Sequence, residues 1–320
     1  MKAFSALTIL LTLTLSNSCL AQDASFVAYV TYDSVSGNFI ISYNRDTLTG
    51  RILHTLLIPE TKIRPKVNTV ASQINSVFQY RYTVINQPGG RQNIYSFDLE
   101  VKSPLDSLIL PEHWSHGPYE YESFVQTLHD FQSEDIMIGD SLHFSTLTSG
   151  LPGFVLMRFG GAGTEDTLDL AFEWEPDESV DLLIDSLASL EAIRHVALTT
   201  IGGVNLPSPF MSLFFIDTLL SYTRQSAALG WLGRDRDDDC DDDERPDDGV
   251  VRNIENRLQK ARRELVRGDS VKARRELLKL VRKVDRLQRR GERVMTSEAY
   301  ALLKYNTEYL IERLPERRRR

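Results

Sequence analysis

The 320-residue chain suits two domains, and its apolar fraction of 42% is ordinary for a globular protein. Two cysteines, Cys19 and Cys240, exclude a disulfide-built scaffold. The net charge of −8 hides a segregation: residues 1–233 carry −13, residues 234–249 carry −7 and residues 250–320 carry +12. An acidic body, an acidic hinge and a basic tail speak to partners and association more than to fold.

The first twenty-one residues read as a secretory signal peptide. Lys2 supplies the positive start, and Leu7, Ile9, Leu10, Leu11, Leu13 and Leu15 form the apolar run. Small residues at Cys19 and Ala21 favour cleavage before Gln22. The run falls short of the roughly 20 apolar residues that span a bilayer, and no later run reaches that length, so no transmembrane helix is expected after cleavage. A rival reading lipidates Cys19, but Ser16 stands where a lipobox usually has Leu, so ordinary cleavage ranks first. Cleavage leaves Cys240 as the last cysteine; Asp239 and Asp241 beside it raise its pKa and argue for an inert thiol.

From Ala24 to about Trp174 short alternating segments are broken by Gly, Pro, Asn and Asp. Residues 76–85 and 94–101 form the strongest pair of strands, and Gln87-Pro88-Gly89-Gly90 between them reads as a hairpin turn. The pattern predicts an antiparallel β-sandwich, Ig-like, over residues 22–175. Strands do not alternate with helical segments, which disfavours a parallel nucleotide-binding sheet. Val180, Leu183, Ile184, Leu187, Leu190 and Ile193 stand at helical spacing, and the stretch with Gly202-Gly203 and two prolines reads as a linker, so residues 176–209 are expected to be helix and linker.

After Pro209 the period is helical. A first helix over about 210–229 carries Phe210, Leu213, Phe214, Leu220 and Ala227 and stops at Gly230. A second, about 250–267, carries Val251, Ile254, Leu258, Ala261 and Leu265, and ends at Gly268. Asp269 is placed to cap a third over about 270–290, with Ala273, Leu277, Leu280, Val284 and Leu287 inward and Gly291 after it. Thr296 caps a fourth over about 297–314. Four amphipathic stripes on short connections predict a helical bundle over 210–314, with an acidic insert at 234–249 and a basic tail at 315–320.

Glu298-Ala299-Tyr300-Ala301-Leu302-Leu303-Lys304-Tyr305-Asn306, with Leu229-Gly230-Trp231, Leu258-Gln259-Lys260-Ala261 and Gly268-Asp269, resembles the FIMAH-type helical module of secreted bacterial proteins. The likeness covers roughly 210–314. The preceding part, with Arg91-Gln92-Asn93-Ile94-Tyr95 and Ser149-Gly150-Leu151-Pro152-Gly153, resembles a β-sandwich of uncharacterised envelope proteins. The resemblance implies a non-catalytic secreted or surface protein and brings no catalytic residue. The acidic insert and the many arginines depart from the module.

Three constellations carry possible chemistry. Arg275, Lys279, Arg282, Arg286, Arg289 and Arg293 recur at steps of 4, 3, 4, 3 and 4, a stripe opposite the leucines, which Arg252, Lys260, Arg263 and Arg267 extend. Such a stripe suits an anionic surface or polysaccharide, or neutralisation by the chain's own acidic domain. No aromatic side chains interleave with it, which argues against stacking on single-stranded nucleic acid, and no sequence-specific nucleic acid partner is expected. Asp237, Asp239, Asp241 and Asp248 approach a calcium-loop spacing, but the sharp-turn glycine is replaced by Asp242. A solvated acidic linker is the competing reading; calcium is the one cofactor the sequence suggests. His113 and His116 flank Trp114 without an assignable third ligand.

The expected function is therefore a secreted, periplasmic or cell-envelope binding or structural protein without catalysis, its basic helices touching an anionic partner. The alternatives are a secreted hydrolase with a site on loops around His113–His129 and a calcium-responsive extracellular module.

Overall fold

Alternation along Val77–Asn86 leaves every second side chain on one face, and there Phe78, Tyr80, Tyr82, Val84 and Asn86 are buried. The same logic builds three antiparallel sheets in the computed structural model, which describes residues 28–46, 51–121, 124–129, 135–161, 165–167, 195–206, 208–233 and 248–315. The early strands are β1 (Ala28–Asp33), β2 (Asn38–Asp46), β3 (Arg51–Leu57), β4 (Pro65–Ile74), β5 (Val77–Asn86), β6 (Ile94–Glu100) and β7 (Leu105–Ile109). Then come β8 (Trp114–Tyr121), β9 (Phe124–His129), β10 (Ser141–Thr148), β11 (Leu151–Gly161), β12 (Glu165–Thr167) and β13 (Val196–Val204). The helices are α1 (Ser212–Ala228), α2 (Asp248–Val266), α3 (Ser270–Gln288) and α4 (Ser297–Arg313).

The sheets are ordered β1-β2-β3-β12, β4-β5-β10-β7 and β13-β11-β6-β9-β8. The last two meet through aromatic rings: Phe97 of β6 stacks at 4.8 Å on Phe144 of β10, whose ring also stacks at 4.6 Å on its cross-strand partner Tyr82 of β5. The two buried phenols keep partners across the seam. Tyr82 donates to the Ile201 carbonyl and Tyr80 to that of Gly150, each at 3.1 Å.

The expected pairing of the two strongest strands is corrected. β5 pairs with β4 and β10, whereas β6 pairs with β11 and β9. Gln87–Gly90 does turn, with Gly90 N–H donating to the Gln87 carbonyl at 3.3 Å, but it carries the chain from one sheet to the other. Asn86 holds that corner. Its buried amide donates to the carbonyls of Gln92 and Ile136, at 3.0 and 3.1 Å.

The expected linker is corrected too. Residues 196–204 form β13, nine residues paired in register with β11. Its glycines serve close packing: a Cβ on Gly203 would stand 2.3 Å from Thr148 Cγ2, and one on Gly202 3.1 Å from Val155. The helix expected over 178–194 lies outside the described residues, as does the signal peptide.

The helices follow the sequence closely. Gly230, Gly268 and Gly291 take positive φ just past α1, α2 and α3, a conformation costly for side chains with a Cβ. Asp269 caps α3 by accepting from Lys272 N–H at 2.9 Å, and Thr296 caps α4. The inward face of α1 differs from expectation: Phe215, Ile216, Leu219 and Leu220 are buried, while Leu213 and Phe214 are exposed.

One apolar cluster runs through sheets and helices. α4 lies along β4, the edge of its sheet, where unpaired backbone groups need partners. Glu298 accepts from Thr69 N–H at 2.6 Å and Ser297 donates to the Thr69 carbonyl at 2.8 Å. Rings join across the same boundary: Phe78 with Tyr305 at 5.2 Å, and Phe154 with Trp231 at 5.6 Å.

Candidate anion-binding surface

On α2 and α3 the apolar positions recur every three or four residues, so they share one stripe and turn inward. Ile254, Leu258 and Ala261 of α2, and Ala273, Leu277, Leu280, Val284 and Leu287 of α3, are all fully buried. The charges are left outside. Residues 252–293 hold 16 Lys and Arg against 6 Asp and Glu, a net of +10, in a chain whose total is −8.

All six residues of the expected stripe, Arg275, Lys279, Arg282, Arg286, Arg289 and Arg293, are exposed, as are Arg252, Lys260 and Arg263 on α2 and Arg267 just after it. The stripe is helical only as far as Arg286, with Arg289 as the C-cap of α3. Gly291, at φ 102°, breaks the helix, so Arg293 stands in the turn that leads to Met295 instead of continuing the row.

Several cations of the module are paired. Arg262 bridges to Asp217 at 2.8 Å and Arg224 to Glu255 at 2.7 Å, both tying α1 to α2. Lys272 meets Asp269 at 2.8 Å, Lys279 meets Glu276 at 2.6 Å and Arg267 meets Glu264 at 3.1 Å. The hydrogen bond from Lys272 holds the Asp269 carboxyl below its usual range, and Asp269 in turn raises the Lys272 ammonium. Among the described residues no ion pair is formed by Arg252, Lys260, Arg263, Arg275, Arg282, Arg286, Arg289 or Arg293. Exposed, unpaired cations in a row attract any anion that meets several of them at once.

Where α2 and α3 run side by side, a cleft of about 260 Å³ opens between them, lined by Lys260, Glu264, Lys272, Arg275, Glu276 and Lys279. Lys260 and Arg275 were each legible as basic residues, but their meeting across two helices was not, because spacing along one helix says nothing of its neighbour's rotation.

The other expected sites separate. Asp237, Asp239 and Asp241 lie outside the described residues; Asp248 opens α2, with its side chain outside them. Among the described residues no group of three or more His, Cys, Asp or Glu gathers as a metal site. His113 sits at φ 67° in the turn before β8, 3.9 Å from Glu112, and His116 is exposed on β8, the edge of its sheet. Trp114 between them is the core residue, stacked on Phe97 at 5.4 Å.

Residues 238–312, a span that takes in α2, α3 and nearly all of α4, match the FIMAH domain. No curated protein matches the chain. Among solved structures, a GH20 exo-β-N-acetylglucosaminidase from Vibrio harveyi in complex with N-acetylglucosamine aligns at 14% identity and a TM-score of 0.23, over 35% of this chain and 19% of that one. The chitin-binding domain of Chi18aC from Streptomyces coelicolor aligns at 13% identity and a TM-score of 0.19, over 32% of this chain and 86% of that one. The chain thus spans about a fifth of the glycosidase's length, and at these TM-scores neither alignment bears on ligand or activity. No helix among the described residues is long and apolar enough to cross a membrane.

Proposed function

We propose that this chain is an exported binding or structural protein, without a catalytic role, whose helical module holds an anionic polymer or surface against α2 and α3. One observation carries the reading: the basic row faces solvent and most of its members have no carboxylate partner among the described residues. A row used as internal glue would be packed against the acidic sheets; here α4, not α3, makes the contact with β4 and β11. Export rests on the leader over residues 1–21, with cleavage before Gln22.

The test exploits the sign of the whole molecule. A chain of net charge −8 is repelled on average by an anionic resin, so retention requires a local basic face. Mature chain, residues 22–320, applied to heparin-agarose at low salt is expected to bind and to elute as salt rises, because screening shortens the range of exposed charges to about 8 Å at physiological ionic strength. Substituting Arg282, Arg286 and Arg289 together by Ser is expected to move elution to clearly lower salt. Passage of the unaltered chain straight through the column contradicts the proposal.

A further inference from the structure

The cleft between α2 and α3 differs from the rest of the basic face in one respect: two helices supply its walls. Of its four cations, Lys272 is tied to Asp269 and Lys279 to Glu276. That leaves Lys260 on one wall and Arg275 on the other, both exposed and without an ion pair among the described residues. An anionic group entering the cleft meets a cation from each side, whereas one lying on the α3 ridge meets its arginines singly.

From Arg275 the ridge continues through Lys279, Arg282, Arg286 and Arg289. At about 1.5 Å per residue these cations stand roughly 5 Å apart over about 21 Å. That row suits a linear polyanion with well-separated charges. Single-stranded nucleic acids bind through aromatic stacking, yet α2 and α3 contain no aromatic residue. The cleft also holds Glu264 and Glu276. Carboxylates repel a ligand made only of acceptors, such as polyphosphate, but accept hydrogen bonds from hydroxyl groups that flank an acidic group. A polymer with acidic groups and hydroxyls on the same unit satisfies both halves of the lining.

We propose that the α2–α3 cleft is the specificity-determining subsite for a linear acidic polysaccharide, taking one acidic sugar unit between Lys260 and Arg275 while the chain runs on along α3 past Arg282, Arg286 and Arg289. This rests on the polyanion-binding reading above and adds an anchor point, a ligand class and a length.

The experiment is a titration of the mature chain with a sulfated heparin disaccharide, a heparin octasaccharide and a polyphosphate as long as the octasaccharide. The unaltered chain is compared with two double variants, Lys260→Ser with Arg275→Ser in the cleft, and Arg286→Ser with Arg289→Ser on the ridge. A circular-dichroism melt confirms that each is folded. The cleft variant is expected to lose about tenfold in affinity for both oligosaccharides. The ridge variant is expected to weaken the octasaccharide alone, because the disaccharide does not reach Arg286. Glu264→Gln with Glu276→Gln is expected to shift preference toward polyphosphate. Equal losses from the cleft and ridge variants at both lengths, or polyphosphate binding the unaltered chain more tightly than the octasaccharide, overturn the cleft assignment while leaving a polyanion-binding face intact. Absence of binding to all three polymers overturns both.

Discussion

Glu298 shows how a single carboxylate joins the helices to the sheets. It is buried, it sits in the first turn of α4, and its acceptor is filled by a backbone N–H of an edge strand 229 positions away in sequence. Asn306, two turns on, donates to the Pro152 carbonyl at 2.8 Å and to Leu302 of its own helix at 2.9 Å. Removing an acceptor from a buried donor costs about 1–3 kcal/mol, since water does not replace it. Glu298→Ala is therefore expected to lower unfolding stability by that amount in urea titration, and Glu298→Gln, which keeps an acceptor oxygen, by clearly less. Equal losses would mean that the hydrogen bond contributes nothing. The sequence marks Glu298 only as part of a helical motif, because its partner lies in β4, a strand whose own residues carry no clear strand signal. That strand reads as polar, with Lys66, Asn68 and Ser72, because its outer face is turned toward water.

At the scale of elements, helices were more legible than strands. A helix announces itself in its own residues: glycine stops, an Asp or Thr cap and a stripe of leucines are all local. Hence α2, α3 and α4 lie within two residues of expectation. α1 kept its extent but not its face, because PFMSLFF offers apolar residues on several sides and only packing selects among them. Strand partners are not local, so the sequence pairs β5 with β6 across a turn that instead changes sheets. β13 reads as a linker for a different reason: two adjacent glycines mark both a linker and a strand in close contact with its neighbours. Gly203→Ala decides between those meanings. Its new methyl meets Thr148 Cγ2 at 2.3 Å and Ser103 Oγ at 2.9 Å, and overpacking of that kind costs about 1–3 kcal/mol. A melting temperature lowered accordingly is expected; an unchanged one would fit a linker and contradict the strand.

At the scale of the whole molecule, charge is segregated while the core is continuous. Apolar contact runs from Phe78 and Phe154 into Tyr305 and Trp231, so the helical region is a cover on a sheet edge, not a bead on a tether. Yet the basic face turns away from that seam, since α4 makes the contacts with the sheets and α2 and α3 lie beyond it. The composition told that the charge was divided; only the packing told that the positive part is exposed among the described residues. The candidate site was half legible, as a row of cations on one helix, while the cleft needed two helices placed side by side. Lysine acetylation with and without a heparin octasaccharide, read by mass spectrometry of the mature chain, tests the central claim directly. Lys260 and Lys279 on the helices are expected to be protected by the ligand, with Lys66 and Lys102 on the acidic body reacting as before. Protection at Lys66 or Lys102 instead, or none at Lys260 and Lys279 under conditions where the oligosaccharide binds, would contradict it.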